Sequence, residues 1–182
     1  YETPATSVLA LTDEAIVVNS FSKLYSMTGW RLGWLVLPPA LVEPVTRLAQ
    51  NLFIAPSTIA QHAAVAALDD EAAIAARIAV YRRNRDHLRA ALARCGLEEA
   101  APADGAFYLY VDISRTGLDS RDLARRLLEE AGVATTPGTD FDRTRGSAFL
   151  RLSFAGAAAT VDAAAERLVA WFTAHRRTTG PR

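Results

Sequence analysis

The sequence predicts an α/β fold in two regions joined by one long helix, and three observations carry that prediction. Short apolar runs alternate with helical periodicities along the 182 residues. Residues 1–70 hold only two strand-like runs, too few for a closed sheet, while strands and helices alternate throughout the chain after Gly96. Between them lies the longest helical stretch, which places the domains at 1–75 and 76–182, joined by a helix over 71–95. The composition, 51% hydrophobic and 22% charged, belongs to a chain that folds around its own core.

Taken in order, Ala15 to Ser20 (AIVVNS) reads as a short buried strand. Phe21 to Gly29 is small and polar and reads as a loop; Leu32 to Leu37 returns to an apolar strand that stops at Pro38-Pro39. Leu41 to Asn51 is helical, and Pro56 suits the first turn of a helix over Ser57 to Leu68. In Glu71 to Arg94, Ile74, Ile78, Tyr81, Leu88 and Leu92 form one apolar stripe. Arg82, Arg83, Arg85, Asp86 and Arg89 fall off it and read as a solvated face. Gly96 suits the C-cap, and Cys95 reads as a buried small hydrophobe at the helix end. Phe107 to Ile113 is a strand. Asp119 or Ser120 caps a helix to Ala131, which Gly132 ends. Val133 to Thr136 is a short strand before the Pro137-Gly138 turn, and Phe149 to Phe154 is another. Thr160 caps a last helix with Val161, Ala165, Leu168 and Phe172 on one face.

Several function classes lack support. Twenty basic residues balance twenty acidic ones, so no field favours nucleic acid or an anionic membrane. A single cysteine leaves no internal disulfide. His62, His87 and His175 stand apart without metal-ligand spacing. The chain has no signal peptide and no apolar run of about 18 residues, so a cytoplasmic setting is expected.

The basic residues themselves are uneven: nineteen arginines and one lysine, Lys23. A guanidinium stays protonated, whereas a lysine amine can lose its proton and attack a carbonyl. Either the lysine survives by chance or it stands where arginine cannot serve. It sits in Ser20-Phe-Ser-Lys-Leu-Tyr-Ser-Met-Thr-Gly-Trp-Arg-Leu-Gly33, a loop between two strands. Ser20 and Ser22 flank it, Arg31 follows at the next strand, and Gly29 and Gly33 allow close backbone approach. Tyr25 reads as packing. Hydroxyls plus a guanidinium make a phosphate cradle. An amine beside such a cradle points to a phosphorylated aldehyde, a description that pyridoxal 5′-phosphate meets. Arg151 is a lone charge in an apolar strand and needs an anionic partner, a ligand or an internal Asp or Glu.

The Lys23 segment resembles the cofactor-lysine motif of fold type I, pyridoxal-phosphate-dependent class I/II aminotransferases: Ser-x-Ser-Lys, then Gly-x-Arg-x-Gly. Gln61 to Leu68, Gly105 to Tyr108, Gly132-Val to Pro137-Gly138, and Phe149 to Phe154 resemble later family segments. The resemblance covers essentially the whole chain but only the C-terminal half of the family's usual length. It implies a remnant of the large-domain sheet followed by an α+β small domain. It also implies amino transfer between an amino acid and a 2-oxo acid, with a homodimer whose Gln50 to Ser57 loop approaches the partner. Lys23 would form the Schiff base and move the proton; Arg31 and Ser20, with Ser22 as a weaker candidate, would hold the phosphate; Arg151 would bind the α-carboxylate. The family's Asp-x-x-Tyr motif, which holds the pyridine nitrogen and the cofactor hydroxyl, is absent and is expected upstream of Tyr1. The chain alone is therefore expected to be inactive. A C–S lyase or ring-forming synthase on the same scaffold, or a non-catalytic module, are the alternatives.

Overall fold

A computed structural model describes residues 1–175, so residues 176–182 of the second predicted domain lie outside the described residues. The chain divides into two compact units: residues 2–78, and Tyr1 together with the chain from Ala79 onward.

In the first unit β1 (Val17–Ser20) and β2 (Gly33–Val36) form an antiparallel pair. Helices α1 (Pro39–Leu52) and α2 (Thr58–Leu68) follow. The apolar runs that read as buried strands are not buried: Val18 is 74% exposed and Leu35 47%. Among the described residues the two strands pair only with each other. A two-stranded ribbon has no second layer to cover its faces, so hydrophobic sequence alone does not bury it. What is buried lies beside the ribbon, where Phe21, Met27 and Ala64 form a small cluster with Tyr25 and Leu32 against it. Tyr25 packs on Phe21, with ring centroids 4.9 Å apart.

Helix α3 (Glu71–Cys95) begins in the first unit and ends in the second. The second unit then builds an antiparallel sheet in the order β3 (Glu98–Glu99), β4 (Tyr108–Asp112), β6 (Phe149–Ser153), β5 (Thr136–Pro137). Helices α4 (Ser120–Ala131) and α5 (Ala158–Ala174) complete it. Alternation along the central strands sends Leu109 and Val111 of β4, and Leu150 and Leu152 of β6, into one core. Leu123 and Leu127 of α4, and Val161, Ala165 and Leu168 of α5, join the same core.

Four local expectations need correction. Arg85 is not on a solvated face. It is 2% exposed, donates from Nη1 to the Ala103 carbonyl at 3.0 Å, and lies over the Tyr1 ring at 4.7 Å. Beside it buried Asn84 donates to the carbonyls of Phe154 and Gly156 at 3.1 and 2.9 Å, while Arg82, Arg83 and Asp86 of the same stretch are exposed as expected. Cys95 is only half-buried. Thr160 does not cap α5; the helix starts at Ala158 with Ala157 as its N-cap, because consecutive alanines carry the helix back past the threonine. Val133 is not in a strand. Its N–H donates to Leu127 O at 3.0 Å, closing α4 around left-handed Gly132, and only Thr136–Pro137 reach the ladder. Asp119, not Ser120, caps α4 by accepting from the Arg121 N–H at 2.8 Å.

One charged cluster ties α4 to α5. Glu130 accepts from Arg126 Nε at 2.8 Å and from the Trp171 indole at 2.7 Å. These bonds, Arg126 first, hold its carboxyl at about 2 against an ordinary 4.5. A carboxyl depressed in the folded state stabilises fully above its unfolded value, and that contribution is lost as pH falls through the folded value. Thermal melts are therefore expected to drop between pH 4.5 and about 2, and Glu130→Gln to flatten that part of the drop. Equal acid sensitivity in the variant would remove Glu130 as its source.

Candidate active site

The first unit pinches one loop shut. Ser20 at the end of β1 pairs with Gly33 at the start of β2, and Phe21 N–H donates to Leu32 O at 3.1 Å. Gly33 is required here, since a Cβ would stand 2.4 Å from the Asn19 carbonyl oxygen. Gly29 has open space around it, so the close approach expected there is absent. Inside the loop, Met27 N–H donates to Phe21 O at 3.2 Å and Thr28 Oγ1 to Ser22 O at 2.7 Å. Buried Phe21 and Met27 anchor the loop from beneath while Lys23 stays exposed.

Four predicted residues are gathered on this loop. Ser20 Oγ accepts from the Ser22 N–H at 3.0 Å, which leaves its own hydroxyl proton to donate. Ser22 itself is buried. Arg31 is exposed in a left-handed conformation, φ 52°, and donates from Nη1 to Thr28 O at 2.9 Å. No acidic residue occurs from Asn19 to Val36. An amine, a guanidinium and a hydroxyl in an acid-free loop fit pyridoxal phosphate: the amine suits the aldehyde, and the other two suit the phosphate. A guanidinium that sequence reasoning missed also reaches this loop. Arg77 of α3 donates from Nη1 to Ser26 Oγ, and no short motif signals a contact across 51 positions.

Arg151 belongs to the second unit. It stands opposite Tyr110 of β4 and Thr136 of β5, on the sheet face away from the leucines. Its guanidinium lies 4.6 Å from the Phe141 ring and 5.4 Å from that of Tyr108. Nη2 lies 3.4 Å from Thr136 Oγ1, a long hydrogen bond, and buried Nε has no partner. Among the described residues no carboxylate pairs with Arg151. A buried guanidinium donor of this kind calls for an anion.

Among the described residues no cluster of His, Cys, Asp and Glu is arranged to hold a metal. No helix of the described residues is long and apolar enough to cross a membrane. A cavity of about 540 Å³ in the second unit, lined by Leu118, Arg126, Trp171 and His175 among others, contains none of the five predicted residues.

Residues 3–168 match the family model for aminotransferase class I and II. The chain belongs to the class I and II aminotransferases. This aminotransferase chain is 46% identical over 159 residues to a valine–pyruvate aminotransferase of Mycobacterium tuberculosis, covering 86% of the chain and 41% of that relative. It is 34% identical over 145 residues to an aspartate aminotransferase of Sulfolobus acidocaldarius, covering 78% of the chain and 36% of the relative. A crystal structure of an aminotransferase from Mycobacterium tuberculosis superposes with a TM-score of 0.87 at 43% identity, over 96% of this chain and 46% of that one. The chain thus spans less than half the length of the relatives it matches. The aminotransferases of this family depend on pyridoxal phosphate.

Proposed function

We propose that the whole protein transfers an amino group between an amino acid and a 2-oxo acid with pyridoxal phosphate as cofactor. The observation that carries this reading is the pinched, acid-free loop that carries both the chain's one lysine and Arg31. When bound, the cofactor supplies the electron-withdrawing ring that makes the substrate's Cα proton removable. Lys23 Nζ would hold the cofactor's aldehyde carbon and, once the substrate amine had displaced it, would carry the proton between the substrate Cα and the cofactor's C4′ carbon. The Arg31 guanidinium and the Ser20 hydroxyl bind the phosphate, with Ser22 in a lesser part. Arg151 binds the substrate α-carboxylate through its guanidinium, whose Nε has no protein partner.

Homodimeric assembly, with Gln50 to Ser57 toward the partner, and a cytoplasmic setting belong to the same proposal. Ile54 in that segment is 83% exposed, which supports its burial against another chain. The single cysteine agrees with a reducing compartment.

The test is reduction of the cofactor-loaded whole protein with borohydride, followed by peptide mapping. The phosphopyridoxyl mass is expected on Lys23; a label solely on another lysine overturns the assignment. The same protein given an amino acid is expected to release 2-oxo acid in step with amination of an added acceptor. Continuous release without an acceptor would point to a lyase instead.

A further inference from the structure

We infer that Arg77 is a positioning residue for Lys23, acting through Ser26. The inference rests on the proposed role of Lys23 and adds a residue that the Lys23 motif does not contain.

The backbone of Lys23 is held by a turn. Ser26 N–H donates to Lys23 O at 3.1 Å, so Lys23 opens a four-residue turn that Ser26 closes. Ser26 closes it in the left-handed region, φ 54°, where a residue with a Cβ is disfavoured. Such a conformation persists only where the surroundings hold it. The outside restraint on Ser26 is Arg77, whose Nη1 donates to Ser26 Oγ from the second turn of α3.

Two features show that this contact is more than a surface arginine meeting a hydroxyl. Arg77 Nε is buried and has no hydrogen-bond partner, so part of the guanidinium is withdrawn from water to reach this place. That is unfavourable unless the contact at the other edge compensates. Arg77 also brings a third cation, after Lys23 and Arg31, to a loop without acidic residues. It therefore serves the loop twice: it fixes the turn from which Lys23 projects, and it adds to the field that attracts an anionic cofactor. The opposite side of the loop is held independently, by buried Phe21 and Met27 and the bond between their backbones. Arg77 is thus the restraint on the lysine side.

The experiment is amide hydrogen exchange on the whole protein, paired with borohydride trapping of pyridoxal phosphate. Arg77→Ala is expected to speed exchange of the Ser26 amide about tenfold, the loss of one hydrogen bond to a charged group, with the strands of the second unit unchanged. Ser26→Ala is expected to do the same, and the double variant to add nothing, since both remove one contact. Arg77→Lys, which keeps the charge but not the planar fork, is expected to restore part of the protection. In parallel, the fraction of Lys23 trapped at a fixed pyridoxal phosphate concentration is expected to fall in Arg77→Ala and to recover partly in Arg77→Lys. Unchanged exchange at Ser26 overturns the inference. Equal acceleration over all of residues 2–78 also overturns it, because Arg77 would then only stabilise the unit. Faster Ser26 exchange with unchanged trapping overturns it too, because the turn would not direct Lys23. Should the unsubstituted protein show no label on Lys23, the functional reading fails by itself, and the exchange data still report whether Arg77 holds the turn.

Discussion

Replacing Lys23 with alanine is expected to lower the transamination rate of the whole protein by about 10²–10⁴-fold, the usual share of a positioned proton-transfer group. Lys23→Arg is expected to lose as much. Its guanidinium keeps the charge and much of the reach, but it does not give up a proton in any accessible pH range. The pair of variants therefore separates charge from chemistry. If the lysine only neutralised an anion, arginine would rescue it. Cofactor affinity is expected to fall less than turnover, because Arg31 and Ser20 remain on a loop whose closure depends on Gly33, Phe21 and Met27. The check is steady-state kinetics with cofactor titration. A parallel loss in kcat and kcat/KM fits an interaction made in the transition state. Retention of turnover in Lys23→Ala would place the proton transfer on another group.

Phe154→Ala is expected to destabilise the second unit by about 3–5 kcal/mol, the range for removing a large aromatic side chain from a packed core. Phe154 is 0% exposed and lies just past β6. Its ring meets Tyr1 and Tyr81 at centroid separations of 6.2 and 6.5 Å. Its backbone is committed as well: the N–H donates to Phe107 O at 2.9 Å and the carbonyl accepts from Asn84 at 3.1 Å. Because the backbone is pinned from both sides, the void left by the ring has little room to collapse, which puts the cost toward the upper end of the range. Amide exchange at Leu109, Val111, Leu150 and Leu152 reports the change, since these residues open only with the core. A loss below about 1 kcal/mol would mean that the core closes over the void.

The parts of this molecule that were legible in the sequence are those set by local chemistry. The α5 stripe of Val161, Ala165, Leu168 and Phe172 is buried as its helical spacing predicts. The β4 and β6 runs lie within one residue of their predicted ends. The Lys23 loop was legible because its residue types are unusual together: one lysine among nineteen arginines, hydroxyls on both sides, and glycines at the close of the segment. What was not legible depends on distant partners. Arg85 reads as a surface charge on helical spacing, yet the Ala103 carbonyl and the Tyr1 ring bury it. Arg77 falls on no motif, because its partner Ser26 is 51 residues away. Val18 and Leu35 show the converse: a hydrophobic run states what a strand prefers to meet, and here no described element meets it.

The exposed loop around Lys23 gives these 182 residues a single address for lysine-directed chemistry. An endoprotease that cleaves after lysine has one peptide bond to cut in this chain, Lys23–Leu24, and the cut falls on the exposed side of the pinched loop. Anything that covers the amine, whether a bound aldehyde or a neighbouring chain, shields that bond. Digestion time thereby becomes a direct gauge of how the loop is occupied, with no dye, tag or engineered cysteine.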